Sequence, residues 1–314
     1  MAPNITINLE TVGTNRTIYV VIPQLVCGIA ISLLMIRFLI LFGTSSKFSN
    51  SFYRIVQLDM VTNLFYYWNT WFSYRFHTNK FFLPVLKALE TVVEGSLSFC
   101  KNMDFWFLHM QVFSALSMSL HRYLAVCHPQ FFDKLTSKAW RFWYILYGLV
   151  LVFISWLFTR TMVKPAFEVY IVDDALMGTV YLDRYPKLMV LMSVFTSVYF
   201  VLLLFFGFLV ACLASRKVRE ISMSDRAIGK KLSKVTAWYL LVYPATLIWS
   251  ILSALDAHYH FLPDYTADIR AVALGLSMDT MTFSLPFILM IHDTNVKEAL
   301  FGKRANVTLV RSTT

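Results

Sequence analysis

Four polar side chains, Lys101, Asp104, His109 and Gln111, lie close together in the long apolar stretch 96–126, which closes on His121-Arg122-Tyr123. At membrane depth an unsolvated polar group costs several kcal/mol, so this helix must turn those groups toward other helices rather than lipid. Asp104 precedes Arg122 by eighteen residues. That is five helical turns on one face, about 27 Å, and it puts the acid in the outer half of a bundle and the arginine at its inner end. Lys101, three residues before Asp104, stands on the same face, and two readings follow: it neutralises the acid internally, or Asp104 is left to hold a cationic group of a ligand. Asp279, seven residues before Pro286, is expected at similar depth on the last apolar stretch, so Asp104, Lys101 and Asp279 are the candidate ligand-pocket residues. Asp59 and Asn63, spaced i and i+4, form a second inward-facing polar pair. The sequence holds no nucleophile paired with a base and no phosphate loop, which argues against an enzyme and against a cofactor. His258-Tyr259-His260 offers two imidazoles without further ligands, so exposed loop residues are expected there rather than a metal site.

The surrounding elements follow from composition. Of 314 residues 58% are hydrophobic and 15% charged, with mean hydropathy +0.60, where soluble domains carry about 25% charged residues. A membrane protein results. Aromatic residues make up 17% of the chain, and Tyr and Trp near segment ends suit the two interfacial belts. The formal charge of +10 gathers in short loops between apolar runs, with no nucleic-acid motif, so it bears on orientation rather than on RNA or DNA. A span needs about 20 mostly apolar residues. Seven stretches qualify or nearly so: 18–42, 52–72, 96–126, 140–158, 187–213, 235–255 and 269–292. The second is the weakest, with Arg54, Asp59, Asn63 and Asn69 inside it. Pro244 and Pro286 sit within the last two and are expected to kink them as hinges.

With the amino terminus outside, sixteen basic residues fall on the cytoplasmic side and nine outside, and the dense run from Arg216 to Lys234 falls inside. In that count Arg75, Lys80 and Lys87 occupy an outer loop. The tail 1–17 is polar, lacks a basic start and a cleavage site, and carries two glycosylation sequons at Asn4 and Asn15. The first apolar helix is therefore expected to be an uncleaved anchor, and a third sequon at Asn306 to lie unused in the cytosol. The segment 293–314 opens with Asp293 as a helix cap and places Val296, Leu300 and Phe301 on one face, the pattern of a short helix along the inner membrane surface. Four cysteines occur, Cys27, Cys100, Cys127 and Cys212, none of them between 160 and 187. No repeat or low-complexity linker divides the chain, so one domain is expected. A seven-helix transporter or ligand-gated channel could also use Lys101, Asp104 and Asp279 along an ion path, but without a repeat this is the poorer reading.

Three blocks carry a resemblance: SFYRIVQLDMVTNLFYYWNTWFSYRF from Ser51 to Phe76, FWFLHMQVFSALSMSLHRYLAVCHP from Phe105 to Pro129, and SMDTMTFSLPFILMIHDTNVKEALF from Ser277 to Phe301. All three resemble nematode chemosensory receptors of serpentine receptor class gamma, and HRYLAVCHP resembles the inner end of the third helix of G-protein-coupled receptors. The resemblance implies an all-α, seven-transmembrane bundle of the G-protein-coupled receptor type in the plasma membrane of sensory neurons, one that detects a small-molecule chemical cue and activates a heterotrimeric G protein. By the same resemblance Arg122 and Tyr123, with Arg216, Lys217, Arg219, Lys230 and Lys231, would meet that G protein, and an inward acid on the second helix, here Asp59, would couple helix movements. A bland reading of Arg122 as an interfacial arginine reaching lipid phosphate stands beside the first. The sequence departs from the receptor pattern in having His121 before the arginine, Val242 near the first hinge proline, Leu285 and Leu289 around the second, and no cysteine in the second outer loop.

Overall fold

The computed structural model describes residues 5–8, 18–49, 51–78, 80–127, 167–172, 175–181, 185–217 and 267–301, with short helical pieces within 145–157 and 238–259. The principal helices are α1 (Ile18–Thr44), α2 (Ser51–Thr70), α3 (Leu83–Val92), α4 (Ser96–Cys127), α5 (Tyr185–Lys217), α6 (Ala267–His292) and α7 (Thr294–Phe301). Among the described residues, Tyr19–Thr44 and Pro186–Leu209 are helices long and apolar enough to cross a membrane. Each bears an exposed apolar stripe at alternating three- and four-residue steps. On α1 it runs Ile22, Val26, Ile29, Leu33, Ile36, Ile40, and on α5 Val194, Val198, Val201, Phe205, Phe208. In water such a stripe would be a liability; against hydrocarbon it is the solvated face.

The remaining long helices are less apolar because they carry the interior polar groups. Helix α2 packs against α1, α4 and α6, and α4 packs against α5. The core between them is rich in rings and methionines, with Met35, Phe38, Phe42, Val56, Met60, Trp71 and Ile288 buried. At one end Phe42, Phe48 and Tyr53 meet with ring centroids 4.8–5.2 Å apart. Farther along, Tyr67 packs on Phe283 at 4.6 Å and its hydroxyl donates to the Gln24 carbonyl at 3.1 Å. That approach depends on Gly28, where an added Cβ would fall 1.5 Å from the Tyr67 oxygen.

Three features depart from the sequence expectation. The fold is not wholly helical: β1 (Ile5–Asn8), β2 (Phe167–Val172) and β3 (Ala175–Tyr181) form an antiparallel sheet ordered β1-β3-β2. Its register pairs Ile5 with Tyr181 and Val172 with Ala175. Alternating β-branched and aromatic residues in FEVYIV explain the strand. Secondly, the segment holding Lys87 is no plain loop but α3, LPVLKALETV, started by a proline in its first turn and burying Leu86 against Leu97 and Ile171. Thirdly, α2 does not stop near residue 72. A π-helical turn, Trp71–Arg75, extends it and carries Arg75 inside, 4% exposed, instead of into an outer loop.

Between α3 and α4, Gly95 takes φ +78°, the left-handed region open to glycine. The turn delivers the start of α4 to Glu90, whose carboxylate accepts bonds from the Gly95 amide at 2.7 Å, the Ser96 hydroxyl at 3.0 Å and the Leu97 amide at 3.0 Å. At the other end of the chain Asp293 caps α7, accepting from the Asn295 amide at 2.9 Å, while its second oxygen takes the Tyr53 hydroxyl at 2.5 Å. Val296 is buried there, and the exposed Arg37 donates to the Leu300 carbonyl at 3.3 Å. Phe301 is 74% exposed, so it does not share the buried face with Val296.

Candidate functional site

The polar residues of the bundle gather on α2, which faces α4 on one side and α6 on the other. Toward α4, the Asn69 side-chain amide donates to Asp104 Oδ1 at 2.7 Å and to the Cys100 carbonyl at 2.8 Å. One turn farther along α2, the Ser73 carbonyl accepts from Lys101 Nζ at 3.5 Å, and the Tyr74 ring lies 5.5 Å beneath the same ammonium. The two α4 charges are therefore not bonded to each other, although they stand three residues apart. Each turns to a neutral group of α2. Both side chains are half-buried.

Toward α6, Arg75 forms a two-pronged ion pair with Asp279: Nη1 reaches Oδ2 at 3.1 Å and Nη2 bonds Oδ1. The guanidinium also sits 5.2 Å from the Tyr67 ring centroid and 5.0 Å from that of Trp71, so an always-charged planar group is enclosed by a carboxylate and two π-faces. A span drawn as 52–72 leaves Arg75 to the outer loop; the signal that could have found it is the aromatic run Trp71 to Phe76, which continues the helix. Asp279 thus faces a cation of the protein, not an open cavity. Arg75 and Lys101 both lie within electrostatic reach of Asp104, and the Tyr66 hydroxyl, directed at Met278 Sδ at 3.0 Å, lies within reach of Asp104, Arg75 and Asp279. Beyond this cluster His77 is buried, and burial, with the Lys101 charge adding to it, pushes its imidazole down to about 3, so it is neutral.

Deeper in the bundle Asn63 donates to Asp59 Oδ2 at 2.9 Å, a bond between the i and i+4 positions. Gln111 completes the group. Its amide donates to Asn63 Oδ1 at 2.7 Å and to the Thr282 hydroxyl at 3.0 Å, and its backbone carbonyl accepts from the Tyr243 hydroxyl at 3.4 Å. One connected set of hydrogen bonds therefore joins α2, α4, α6 and the piece that holds Tyr243. Every member is buried, where a lost partner is expensive. On the opposite side of α4, His109 Nε2 and the Tyr199 hydroxyl of α5 are 3.0 Å apart, beside a shallow groove lined by Leu108, Val112 and Phe195.

A family model described as Srg family chemoreceptor matches residues 21–300. The chain belongs to the Srg chemoreceptor family. It is 35% identical over 307 residues to serpentine receptor class gamma-47 of Caenorhabditis elegans, covering 98% of each chain, and 22% identical over 275 residues to serpentine receptor class gamma-53 of the same organism, covering 87% of this chain and 88% of that one. Srg proteins are receptors rather than enzymes, and membership makes this a serpentine membrane receptor of the chemoreceptor type. It does not favour the transporter or channel reading.

The other residues singled out in the Srg chain fall unevenly. Arg122 and Tyr123 lie on the last turns of α4; the Tyr123 ring is 5.7 Å from that of Phe206 on α5, and the Arg122 side chain lies outside the described residues. Arg216 and Lys217 end α5, again with side chains outside the described residues, and Arg219, Lys230, Lys231, Asn4, Asn15 and His260 lie wholly outside them. Pro286 is buried within α6 and Pro244 half-buried in a helical piece. His258 and Tyr259 are exposed with ring centroids 4.9 Å apart.

Proposed function

We propose that this Srg chain is a seven-span, plasma-membrane chemoreceptor of sensory neurons, amino terminus outside, that binds a small-molecule cue in the outer half of its bundle and activates a heterotrimeric G protein from its cytoplasmic face. The observation that supports the ligand site is the double tie made by the outer end of α2, Asn69 to Asp104 on α4 and Arg75 to Asp279 on α6. A cue that engages Lys101, Asp104 or Asp279 competes with those ties and so binds one arrangement of the helices better than another, which is what a switch requires. The bonded set Asp59–Asn63–Gln111–Thr282 lies between that site and the opposite end of the bundle and offers a physical link.

At the inner end Arg122 and Tyr123, with Arg216, Lys217, Arg219, Lys230 and Lys231, supply the positive surface that a G protein or anionic lipid would meet. Asn4 and Asn15 carry glycans on the outer tail in this topology, and α7 lies along the inner leaflet. Reconstituted receptor and G protein test the reading. Cue-dependent nucleotide exchange is expected with the wild-type chain and is expected to vanish in Arg122→Ala while surface expression, read with an amino-terminal epitope on intact cells, persists. Exchange that is unchanged in Arg122→Ala rejects the coupling role, and an epitope accessible only after permeabilisation rejects the topology.

A further inference from the structure

We propose that the cue is a zwitterion of the amino-acid type, its carboxylate pairing with Lys101 and its ammonium with Asp104; this rests on the outer-bundle site of the preceding section. Four charges meet there. Arg75 and Asp279 satisfy one another with two bonds, which leaves Lys101 and Asp104, equal and opposite, three residues apart on one helix face. Each is answered by a neutral group of α2: the Asn69 amide for Asp104, and for Lys101 the Ser73 carbonyl at 3.5 Å, a long contact for an ammonium. An opposite full charge adds a Coulomb attraction that neither neutral partner supplies, and it is stronger in a half-buried site than in water. A ligand bringing both charges gains on both sides at once.

Charge balance selects between ligand classes. The four side chains sum to zero, so a lone amine would leave a net positive charge in a half-buried site and a lone carboxylate a net negative one, each at a desolvation cost. A zwitterion leaves the sum unchanged. Displacing Asn69 from Asp104 removes one of the two bonds by which that side chain ties α2 to α4, so occupancy changes an inter-helix contact directly.

The test uses full-length receptor in lipid nanodiscs, with leucine and phenylalanine as probes against their amides, which lack the carboxylate, and against 4-methylpentanoate and 3-phenylpropionate, which lack the amine. Either amino acid is expected to raise the melting midpoint, with both truncated forms binding at least about tenfold more weakly. In Lys101→Met, which leaves the site at −1, leucine amide should bind at least as tightly as leucine; in Asp104→Asn, which leaves it at +1, 4-methylpentanoate should bind at least as tightly as leucine. The proposal is overturned if an amide or an acid binds wild-type receptor as tightly as its parent, or if neither amino acid binds. Should the variants fail to fold, the comparison among ligands on the wild-type chain still decides. If amino acids are silent while a cue of another class drives nucleotide exchange, the ligand class falls and the chemoreceptor reading stands.

Discussion

A guanidinium inside a bundle of apolar helices is stable only while its partner is present, and the Arg75–Asp279 pair can be tested on that footing. Removing one member leaves the other buried and uncompensated, a loss of about 3–5 kcal/mol, whereas replacing both with apolar side chains of similar size is often close to neutral. Arg75→Leu and Asp279→Leu are each expected to lower the melting midpoint of purified receptor far more than the double variant does. Equal losses that simply add would show that the two side chains do not depend on each other. The sequence made Asp279 visible, because an acid in an apolar stretch stands out, but not its partner, which is 204 residues away. Asp59 and Asn63 were easier to pair, being one helical turn apart. Lys101 and Asp104 had the same advantage and yet are unbonded: spacing fixes which face two residues share, while the competing Asn69 amide and Ser73 carbonyl belong to another helix and leave no local trace.

Helix ends were the next level of difficulty. The start of α4 depends on Glu90, a side chain from the preceding helix that reaches across Gly95 to accept three bonds. An ordinary cap would come from the residue just before the helix, so a search for Ser, Thr, Asp or Asn at that position overlooks it. Glu90→Ala is expected to cost about 0.5–2 kcal/mol, the range for a lost cap, and to speed hydrogen exchange at the Leu97 and Phe99 amides while leaving the middle of α4 protected. Uniform acceleration along the whole helix would contradict a local role. The π-turn of Trp71–Arg75 was illegible for a related reason: the hydrogen-bond shift that defines it has no composition of its own, and such turns recur where a helix must re-aim a side chain, here Arg75. The hairpin, by contrast, was readable in FEVYIV, where five of six residues are β-branched or aromatic, and hydropathy alone hid it because loops between spans are searched for charge rather than for strand propensity.

At the scale of the whole molecule, the three-stranded sheet has to be held against α3 and α4 without a covalent tether. None of the four cysteines lies between 160 and 187, and Cys27, Cys100 and Cys212 are free thiols. What secures β2 is packing: it contacts α3 and α4, and Ile171 joins the cluster of Leu86 and Leu97, which are 1% and 0% exposed. Ile171→Ser is accordingly expected to open the β2–β3 hairpin to limited proteolysis at concentrations that spare the wild-type chain, with dithiothreitol changing neither pattern. Cleavage that rises on reduction of the wild-type receptor would show that thiol pairing, not burial, holds the sheet.

That arrangement frees the sheet from the oxidising conditions in which most secreted scaffolds mature. A receptor whose sheet is held by side-chain burial can be synthesised in a reducing cell-free translation mixture supplied with nanodiscs, with no isomerase and no glutathione couple, and still form that sheet.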